Sequence, residues 1–248
     1  MQLIITGATG GIGSSVVRKA LQSPAVEKVY CLHRKKEKFQ NLFQSLFAQE
    51  HACSKIVPVR QNASASDGVR TLLQKLHDIP FENIACVHTA FCLEPLLRAG
   101  TYTPEDIRRN VTANVTDMVF LINGLLKLHH AKNIGLKIIH MDSGAADKPI
   151  EGWGLYCAAK AYANMFLKTV RLENPQVKIV SYEPGVVDTP MQEKIRQADA
   201  AVCSQAGTFR AYYEKGMLRP ADVIAGDIIA RFVEKWDAQN FRERFRPR

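Results

Sequence analysis

The sequence lacks the cysteine and histidine spacings that are typical of metal or disulfide proteins. Six cysteines occur among 248 residues, but no pair has C-x-x-C spacing, and His-x-x-x-His is also missing. A disulfide scaffold is unusual in a chain of this length that is not secreted. We therefore predict reduced thiols, most of them buried, and no metal site.

Long apolar runs are lacking as well. No segment of the sequence approaches the roughly 18 apolar residues that span a bilayer. The first residues, MQLIITGATG, reach a glycine after a very short apolar run, unlike a signal peptide. Internal repeats, low-complexity segments and linker composition are also missing. We expect one cytoplasmic domain over residues 1–248, with no membrane partner.

Positive charge is in excess, with a formal net charge of +9. The basic residues are spread along the chain, with local clusters at 33–38 and 242–248. Because no nucleic-acid motif accompanies them, a generally basic surface is the preferred interpretation and no nucleic-acid partner is predicted. Hydrophobic residues make up 46% of the chain, which is sufficient for a substantial core.

Short apolar runs alternate with segments of helical periodicity along the chain. We predict strands at 2–6, 26–32, 55–59, 84–88, 136–141 and 177–182. We predict helices at about 12–21, 37–49, 69–76, 104–128, 154–174 and 223–236. This alternation indicates an α/β fold, a doubly wound Rossmann-type parallel sheet with helices on both faces. For the charged tail after residue 241, a short edge strand and disorder both remain open.

A glycine-rich turn follows the first predicted strand and precedes a predicted helix. It reads Gly7-Ala-Thr-Gly10-Gly11-Ile-Gly13. Glycines allow a pyrophosphate to approach the backbone, and the helix N-terminus favours its negative charge. A turn without a ligand is the alternative, but the flanking strand and helix favour a dinucleotide site.

The residues after the second predicted strand bear on the choice of cofactor. An acidic residue about 20 positions past the glycines would select NAD through the ribose hydroxyl. Here Arg34 and Lys35 stand at that place, and a guanidinium pairs well with a 2′-phosphate. We therefore predict NADP(H), against the alternative of a solvated start to the next helix. Asn62, after the third strand, is predicted to touch the adenine.

The stretch from Ser143 to Lys160 carries the predicted chemistry. Tyr156 and Lys160 are spaced i, i+4, so on a helix they share one face. A free tyrosine has a pKa near ~10, and a neighbouring ammonium lowers it. Such a phenol can protonate a carbonyl oxygen while hydride reaches the carbon. A lone Tyr-x-x-x-Lys is common by chance, but together with Ser143 and the glycine turn it predicts a carbonyl reductase.

These motifs together resemble the short-chain dehydrogenase/reductase family over nearly the whole chain. The matching parts are Thr6–Gly13, Ser143, the Tyr156/Lys160 pair and Pro184-Gly185 with Thr189. Residues 152–161 and 177–192 are similar to the sepiapterin reductase and benzil reductase branch. Members of that branch reduce ketones and vicinal dicarbonyls with NADPH.

The resemblance implies a role for each matching residue. Tyr156 would be the general acid, Ser143 would hold the substrate carbonyl oxygen, and Lys160 would lower the tyrosine pKa and bind the nicotinamide ribose. Asn114 would hold a water in a proton relay with Lys160. The implied cofactor contacts are Gly7, Thr9, Gly11, Ile12, Gly13, Arg34, Asn62, Ala90, Tyr156, Lys160, Pro184, Gly185, Val187 and Thr189. A substrate loop at about 190–219, with an apolar or aromatic ligand, and a homodimer or homotetramer are also expected.

Two features depart from the family pattern. His88-Thr89-Ala90-Phe91 stands where the family usually has Asn-Asn-Ala-Gly. Because phenylalanine does not adopt positive φ readily, we expect this loop to run differently or to crowd the pocket. The C-terminal region also lacks the acidic residue with which sepiapterin reductase holds its pterin. A non-catalytic NADP-binding regulator is the alternative function.

Overall fold

Parallel strands form a single sheet in the order β3-β2-β1-β4-β5-β6-β7. This computed structural model describes residues 1–46, 53–61 and 65–246. The strands in these ranges are β1 Gln2–Thr6, β2 Lys28–His33, β3 Ile56–Arg60, β4 Asn83–His88, β5 Gly135–Met141, β6 Lys178–Glu183 and β7 Arg242–Arg244. The predicted doubly wound sheet and its first six strands are confirmed. The strand order reverses between β1 and β4, where sheets of this kind open a ligand crevice.

Helices cover both faces of the sheet. The helices in the described ranges are α1 Gly11–Gln22, α2 Lys36–Leu46, α3 Ala65–Asp78, α4 Pro104–Val111, α5 Asp117–Lys132, α6 Gly154–Glu173, α7 Pro190–Arg196, α8 Ala206–Glu214 and α9 Ala221–Ile228. Side chains of α1, α2 and α9 pack on one face, and those of α3, α5 and α6 pack on the other. On β1, Leu3 and Ile5 belong to the first core and Ile4 to the second. Strands buried on both sides therefore need continuous apolar runs.

The helix predicted over 104–128 begins as expected but is interrupted. The Thr103 hydroxyl accepts a hydrogen bond from the Asp106 N–H at 3.2 Å, and the Asp106 carboxylate accepts one from the Thr103 N–H at 3.0 Å. This is a capping box, with Pro104 in the first helical position. A π-helical turn, Thr112–Thr116, then separates α4 from α5. Such turns are frequent at functional sites, and this one carries Asn114.

The helical stretch Pro104–Lys132 is long and apolar enough to cross a membrane by length and composition. It contains no continuous apolar run of about 18 residues, as the sequence predicted, since polar positions such as Asp117, Asn123 and Lys127 interrupt it. In the fold this stretch lies against the sheet, with Met118, Leu121, Ile122, Leu125 and Leu128 buried in the core on the α3 side. The apolar composition is that of a core helix of the sheet.

The charged C-terminal segment forms an edge strand, one of the two alternatives left open by the sequence. β7 pairs with β6 in parallel, with Arg242 opposite Ser181 and Arg244 opposite Glu183. Glu243 is buried and accepts hydrogen bonds from the Gln239 N–H at 3.0 Å and from Arg231 at 3.3 Å. The alternation of the strand turns Arg242 and Arg244 away from Glu243.

The cysteines whose side chains the structure describes are free thiols. They are Cys31, Cys86, Cys92, Cys157 and Cys203. Three of them are buried, as the sequence predicted for most. Burial raises the pKa of Cys31 and of Cys86 to about 12, so both act as small apolar core residues.

Candidate active site

A cavity of about 460 Å³ lies at the carboxyl ends of the strands. Almost all of the predicted catalytic and cofactor residues line it, from the glycine turn to Thr189. Asn114 is fully buried and does not line the cavity. Asn62 lies outside the described residues, so its predicted adenine contact stays a prediction. The topology thus brings together residues as far apart in the chain as Gly7 and Thr189, as doubly wound sheets do.

The glycine turn forms a tight cradle at one end of the cavity. Gly7 has a φ of +62°, and the Gly10 N–H donates to the Gly7 carbonyl at 2.8 Å. A Cβ at Gly13 would collide with that carbonyl, and one at Gly11 would lie 2.5 Å from Thr189 Cγ2. Gly10 has no side chain to cap α1, so the N–H groups at this helix end are available to an anion. These features fit a pyrophosphate.

A basic cluster lies at the far end of the cavity. Arg34, Lys35 and Lys38 all line it. The sequence included Lys38 only in the basic cluster at 33–38, and it falls in the first turn of α2. The Arg34 guanidinium pairs with the Asp117 carboxylate at 3.1 Å, and its side chain is half exposed. Burial raises the pKa of Asp117, which Arg34 partly offsets. Arg34 therefore remains positioned at the cavity wall by an ion pair.

Ser143, Tyr156 and Lys160 come together at the centre of the cavity. Ser143 follows β5, while Tyr156 and Lys160 lie one turn apart on α6. Ser143 lies close enough to Tyr156 to act on its pKa, and Tyr156 is buried, with 6% of its surface exposed. Burial raises the Tyr156 pKa by more than Ser143 lowers it. The phenol is therefore protonated at neutral pH in this arrangement.

The direction of the Tyr156 pKa differs from the sequence-based prediction, because burial of the phenol raises it. Lys160 makes contacts with other groups. The Lys160 ammonium donates to the Met141 carbonyl at 2.5 Å and lies 3.4 Å from the centroid of the Phe91 ring. Its distance to the Tyr156 ring centroid is 5.6 Å. Burial lowers the pKa of Lys160 to about 7, although the Asp142 carboxylate acts in the opposite direction. A partly deprotonated lysine lowers the tyrosine pKa less effectively.

Phe91 crowds the pocket, as expected from its place in the loop after β4. Its ring packs edge-on against His88, His140 and Tyr156, with centroid distances of 5.7, 5.4 and 6.1 Å. The two histidines are buried and stacked, and their Nδ1 atoms lie 3.1 Å apart. Burial lowers the pKa of His88 to about 3 and that of His140 well below its ordinary value. Both imidazole rings are therefore neutral, and they pack against Phe91 near Lys160.

Two asparagines anchor the loop that follows Phe91. The Asn114 side chain accepts from the Cys92 N–H at 2.6 Å and donates to the Cys92 carbonyl at 2.8 Å. It also donates to Asn110 at 3.1 Å, and Asn110 donates to the Glu94 carbonyl at 2.8 Å. The sequence favoured Asn114 over Asn110, whereas the structure uses both. The water relay through Asn114 stays a prediction.

Aromatic side chains line the substrate side of the cavity. Trp153 packs edge-on against Tyr156 at 5.8 Å and stacks on Phe209 at 5.6 Å, measured between ring centroids. Phe209 lies on α8 and packs against Trp153 without lining the cavity, whereas Met191 and Ile195 of α7 line it. The predicted substrate loop at 190–219 thus contains two short helices. An apolar, aromatic wall beside a proton donor suits an aromatic carbonyl compound.

A sequence model described as short chain dehydrogenase matches residues 2–200 of this chain. The chain belongs to the short-chain dehydrogenase family. The benzil reductase ((S)-benzoin forming) of Bacillus subtilis is 30% identical over 232 residues, which cover 92% of this chain and 91% of that protein. The sepiapterin reductase of Bos taurus is 25% identical over 201 residues, which cover 78% of this chain and 75% of that protein.

Solved structures of other short-chain dehydrogenases share the whole fold. The KRED1-Pglu enzyme has a TM-score of 0.84 at 23% identity, over 98% of this chain and 99% of its own. The closed form of serine dehydrogenase complexed with NADP⁺ has a TM-score of 0.73 at 20% identity, over 100% of this chain and 95% of its own. These structural matches show the fold. The family model and the reductase relatives identify an oxidoreductase of the short-chain dehydrogenase/reductase type.

Within this dehydrogenase fold, some site residues were missed by the sequence reasoning. Trp153 stands three residues before Tyr156 inside a motif that was identified, but nothing local marks it as a pocket wall. Lys38 was noticed only as part of a charged cluster. Their positions depend on how α2, α6 and α8 pack, which short-range periodicity does not encode.

Proposed function

We propose that the protein is an NADPH-dependent carbonyl reductase that acts on a ketone or a vicinal dicarbonyl, either sepiapterin-like or benzil-like. The observation that carries this proposal is the convergence of Ser143, Tyr156 and Lys160 on the wall of the cavity that also contains the glycine cradle. The reductase relatives support the same reaction class. The aromatic side chains of Trp153 and Phe91 on the cavity wall favour aromatic dicarbonyls over small aliphatic ketones.

The proposed roles follow from the protonation states of the side chains. Ser143 holds the substrate carbonyl oxygen and orients it toward the Tyr156 hydroxyl. Tyr156, kept protonated by its raised pKa, donates its proton to that oxygen as negative charge develops there. NADPH, when bound, supplies the hydride. Lys160 holds the nicotinamide ribose and stabilises the phenolate that remains, and Asn114 supports proton return through a water.

A panel of carbonyl compounds tests the function. We expect NADPH oxidation, followed by absorbance, with benzil and phenylpropanedione, and weaker turnover of simple ketones; sepiapterin tests the pterin-like class. NADH is run in parallel as the cofactor control. Activity only toward simple ketones would contradict the proposed dicarbonyl preference, and activity with NADH alone would contradict the cofactor.

A non-catalytic NADP-binding regulator is the second candidate function. Its support is Phe91, which stands where the family usually has a glycine. The Lys160 ammonium lies 3.4 Å from the centroid of the Phe91 ring, so this cation–π contact occupies the lysine. Calorimetric binding of NADPH with no turnover over the whole panel would favour this function over the reductase.

The cofactor preference is expected to depend on Arg34. Replacing it by aspartate (Arg34→Asp) removes a charge-assisted contact to the 2′-phosphate and adds repulsion. Such contacts are worth about 1.5–3 kcal/mol, so the NADPH/NADH ratio of kcat/KM should fall about 10- to 100-fold. Lys36→Asp is the matched control, since Lys36 is exposed in the same cluster but does not line the cavity. Equal ratios in the two variants would contradict the assignment.

We further propose a cytoplasmic homodimer or homotetramer. Large apolar side chains are exposed on the outer faces of α4 and α6, among them Ile107, Val111, Met165 and Leu172. The most exposed of these four is Leu172, with 83% of its surface accessible, which is unusual for a large apolar residue on a long helix. A monomeric mass by light scattering would contradict the proposal.

A further inference from the structure

Arg242, on the edge strand β7, reaches the catalytic serine turn. Its guanidinium Nε lies 2.7 Å from an oxygen of Asp142, and Nη2 donates to the Ser143 carbonyl at 3.1 Å. It also pairs with Asp147 and, at 3.3 Å, with Glu183. One side chain thus contacts the end of β5, the turn after Ser143 and the end of β6. A planar guanidinium can make such a set of contacts, whereas an ammonium is a single point charge.

The carboxylates of Asp142 and Asp147, with which Arg242 pairs, flank the turn that carries Ser143. The Asp142 carboxylate is fully buried and accepts from the Ser143 N–H at 2.7 Å and from Asn164 at 3.1 Å. Asp147 closes the short 3₁₀ turn Gly144–Ala146 that follows Ser143. Arg242 therefore fixes the serine turn at both ends. A buried carboxylate without this partner would be strongly unfavourable.

The Asp142 charge also acts on the proton donor. Its field raises the pKa of Tyr156, in addition to the larger effect of burial, and it raises that of Lys160 against burial. The anionic groups around Arg242 are Asp142 just after β5, Asp147 after the serine turn and Glu183 on β6. The neighbouring cations are Arg244 on β7 and Lys160 on α6, which lies beyond Asp142. Arg242 is the cation in contact with Asp142 among them, so it offsets the field that reaches Tyr156.

We propose that Arg242 is a positioning residue of the active site, which holds Ser143 in place and compensates the buried charge of Asp142 next to Tyr156. This inference rests on the proposed reductase function. The sequence left the tail unassigned, because the contact joins residues about 100 positions apart. The cofactor side of the site is less dependent on Arg242, since Arg244 also holds Glu183, at 2.8 Å.

Arg242→Gln tests this role. Because a small misplacement of a catalytic group can cost about 10²-fold, we expect kcat for the dicarbonyl to fall about 10- to 100-fold while the Kd for NADPH changes less than about 2-fold. Arg244→Gln is the matched control on the same strand, with an exposed ion pair and no contact to Asp142 or Ser143. Its kcat should stay within about 2-fold of the parent, as expected for a surface ion pair.

The pH profile separates positioning from a general structural effect. In the reverse direction, alcohol oxidation by NADP⁺ requires the Tyr156 phenolate, so the rate rises with pH through the tyrosine pKa. Without Arg242 the Asp142 charge is uncompensated, the pKa rises, and the rising limb should move to higher pH. A limb that does not move, or a kcat equal to that of Arg244→Gln, would overturn the inference.

Two further variants keep the test decisive if Arg242→Gln does not fold. In the double variant Asp142→Asn/Arg242→Gln both charges are removed. The rising limb of its pH profile should therefore lie at the same pH as in the parent protein or at lower pH, while kcat stays low. Arg242→Lys keeps the charge but loses the multiple contacts, and should show an intermediate kcat with an unmoved limb. A rising limb shifted to higher pH in either variant contradicts the charge argument.

The parent protein separates a failure of this inference from a failure of the proposed function. A parent inactive on every carbonyl would overturn the proposed function as well, whereas an active parent isolates a failure of this inference.

Discussion

The Tyr156→Phe variant is expected to bind NADPH like the parent protein and to lose about 10²- to 10⁴-fold in kcat for the dicarbonyl. The substitution removes only the phenolic hydroxyl, on whose pKa Ser143 acts. The ring keeps its edge-on contacts with Phe91 and Trp153, so the pocket should retain its shape. The measurement is a pair of experiments, calorimetric titration with NADPH and steady-state reduction of benzil.

Tyr162→Phe is the control for this variant. Tyr162 lies on the same helix but is 44% exposed and stacks on Phe166, away from the cavity. Its loss of a hydroxyl should leave kcat within about 2-fold, as for most surface substitutions. If Tyr156→Phe keeps near-parent turnover while NADPH binding is intact, Tyr156 is not the proton donor.

The Gly13→Ala variant should lose NADPH binding and be destabilised by about 1–3 kcal/mol, the usual cost of overpacking. A Cβ at this buried position would collide with the Gly7 carbonyl and lie 2.8 Å from Thr89 Oγ1. Neither neighbour can withdraw freely, because Thr89 donates to the Thr6 carbonyl at 2.6 Å and Gly7 closes the turn. For a chain of this size, such a loss lowers Tm by several degrees.

Gly226→Ala provides the comparison for Gly13→Ala. A Cβ at Gly226, within α9, has no heavy atom within 4 Å, so alanine should be neutral or slightly stabilising there. Thermal unfolding and NADPH titration of both variants check the prediction. An unchanged Tm and Kd in Gly13→Ala would show that the turn is not the tight cradle described above.

Local sequence patterns predicted much of the fold because they report local physics. Apolar runs such as Leu3–Ile5 are buried on both faces only in a parallel sheet, and the Thr103/Asp106 pair marks a helix start through backbone hydrogen bonds. The same locality explains what the sequence missed or left open. The π-helical turn at Thr112–Thr116 and the edge strand β7 depend on partners far away in the chain.

The sequence by itself determined the parallel α/β sheet, the glycine turn and the shared helical face of Tyr156 and Lys160, since these follow from periodicity and spacing of neighbours. Only the tertiary structure decided the environment of those groups. It placed Phe91 against Lys160, buried Tyr156 so that its pKa is raised, and brought Arg242 to Asp142. Burial and charge contacts depend on which distant segments pack together, and residue spacing alone does not encode them.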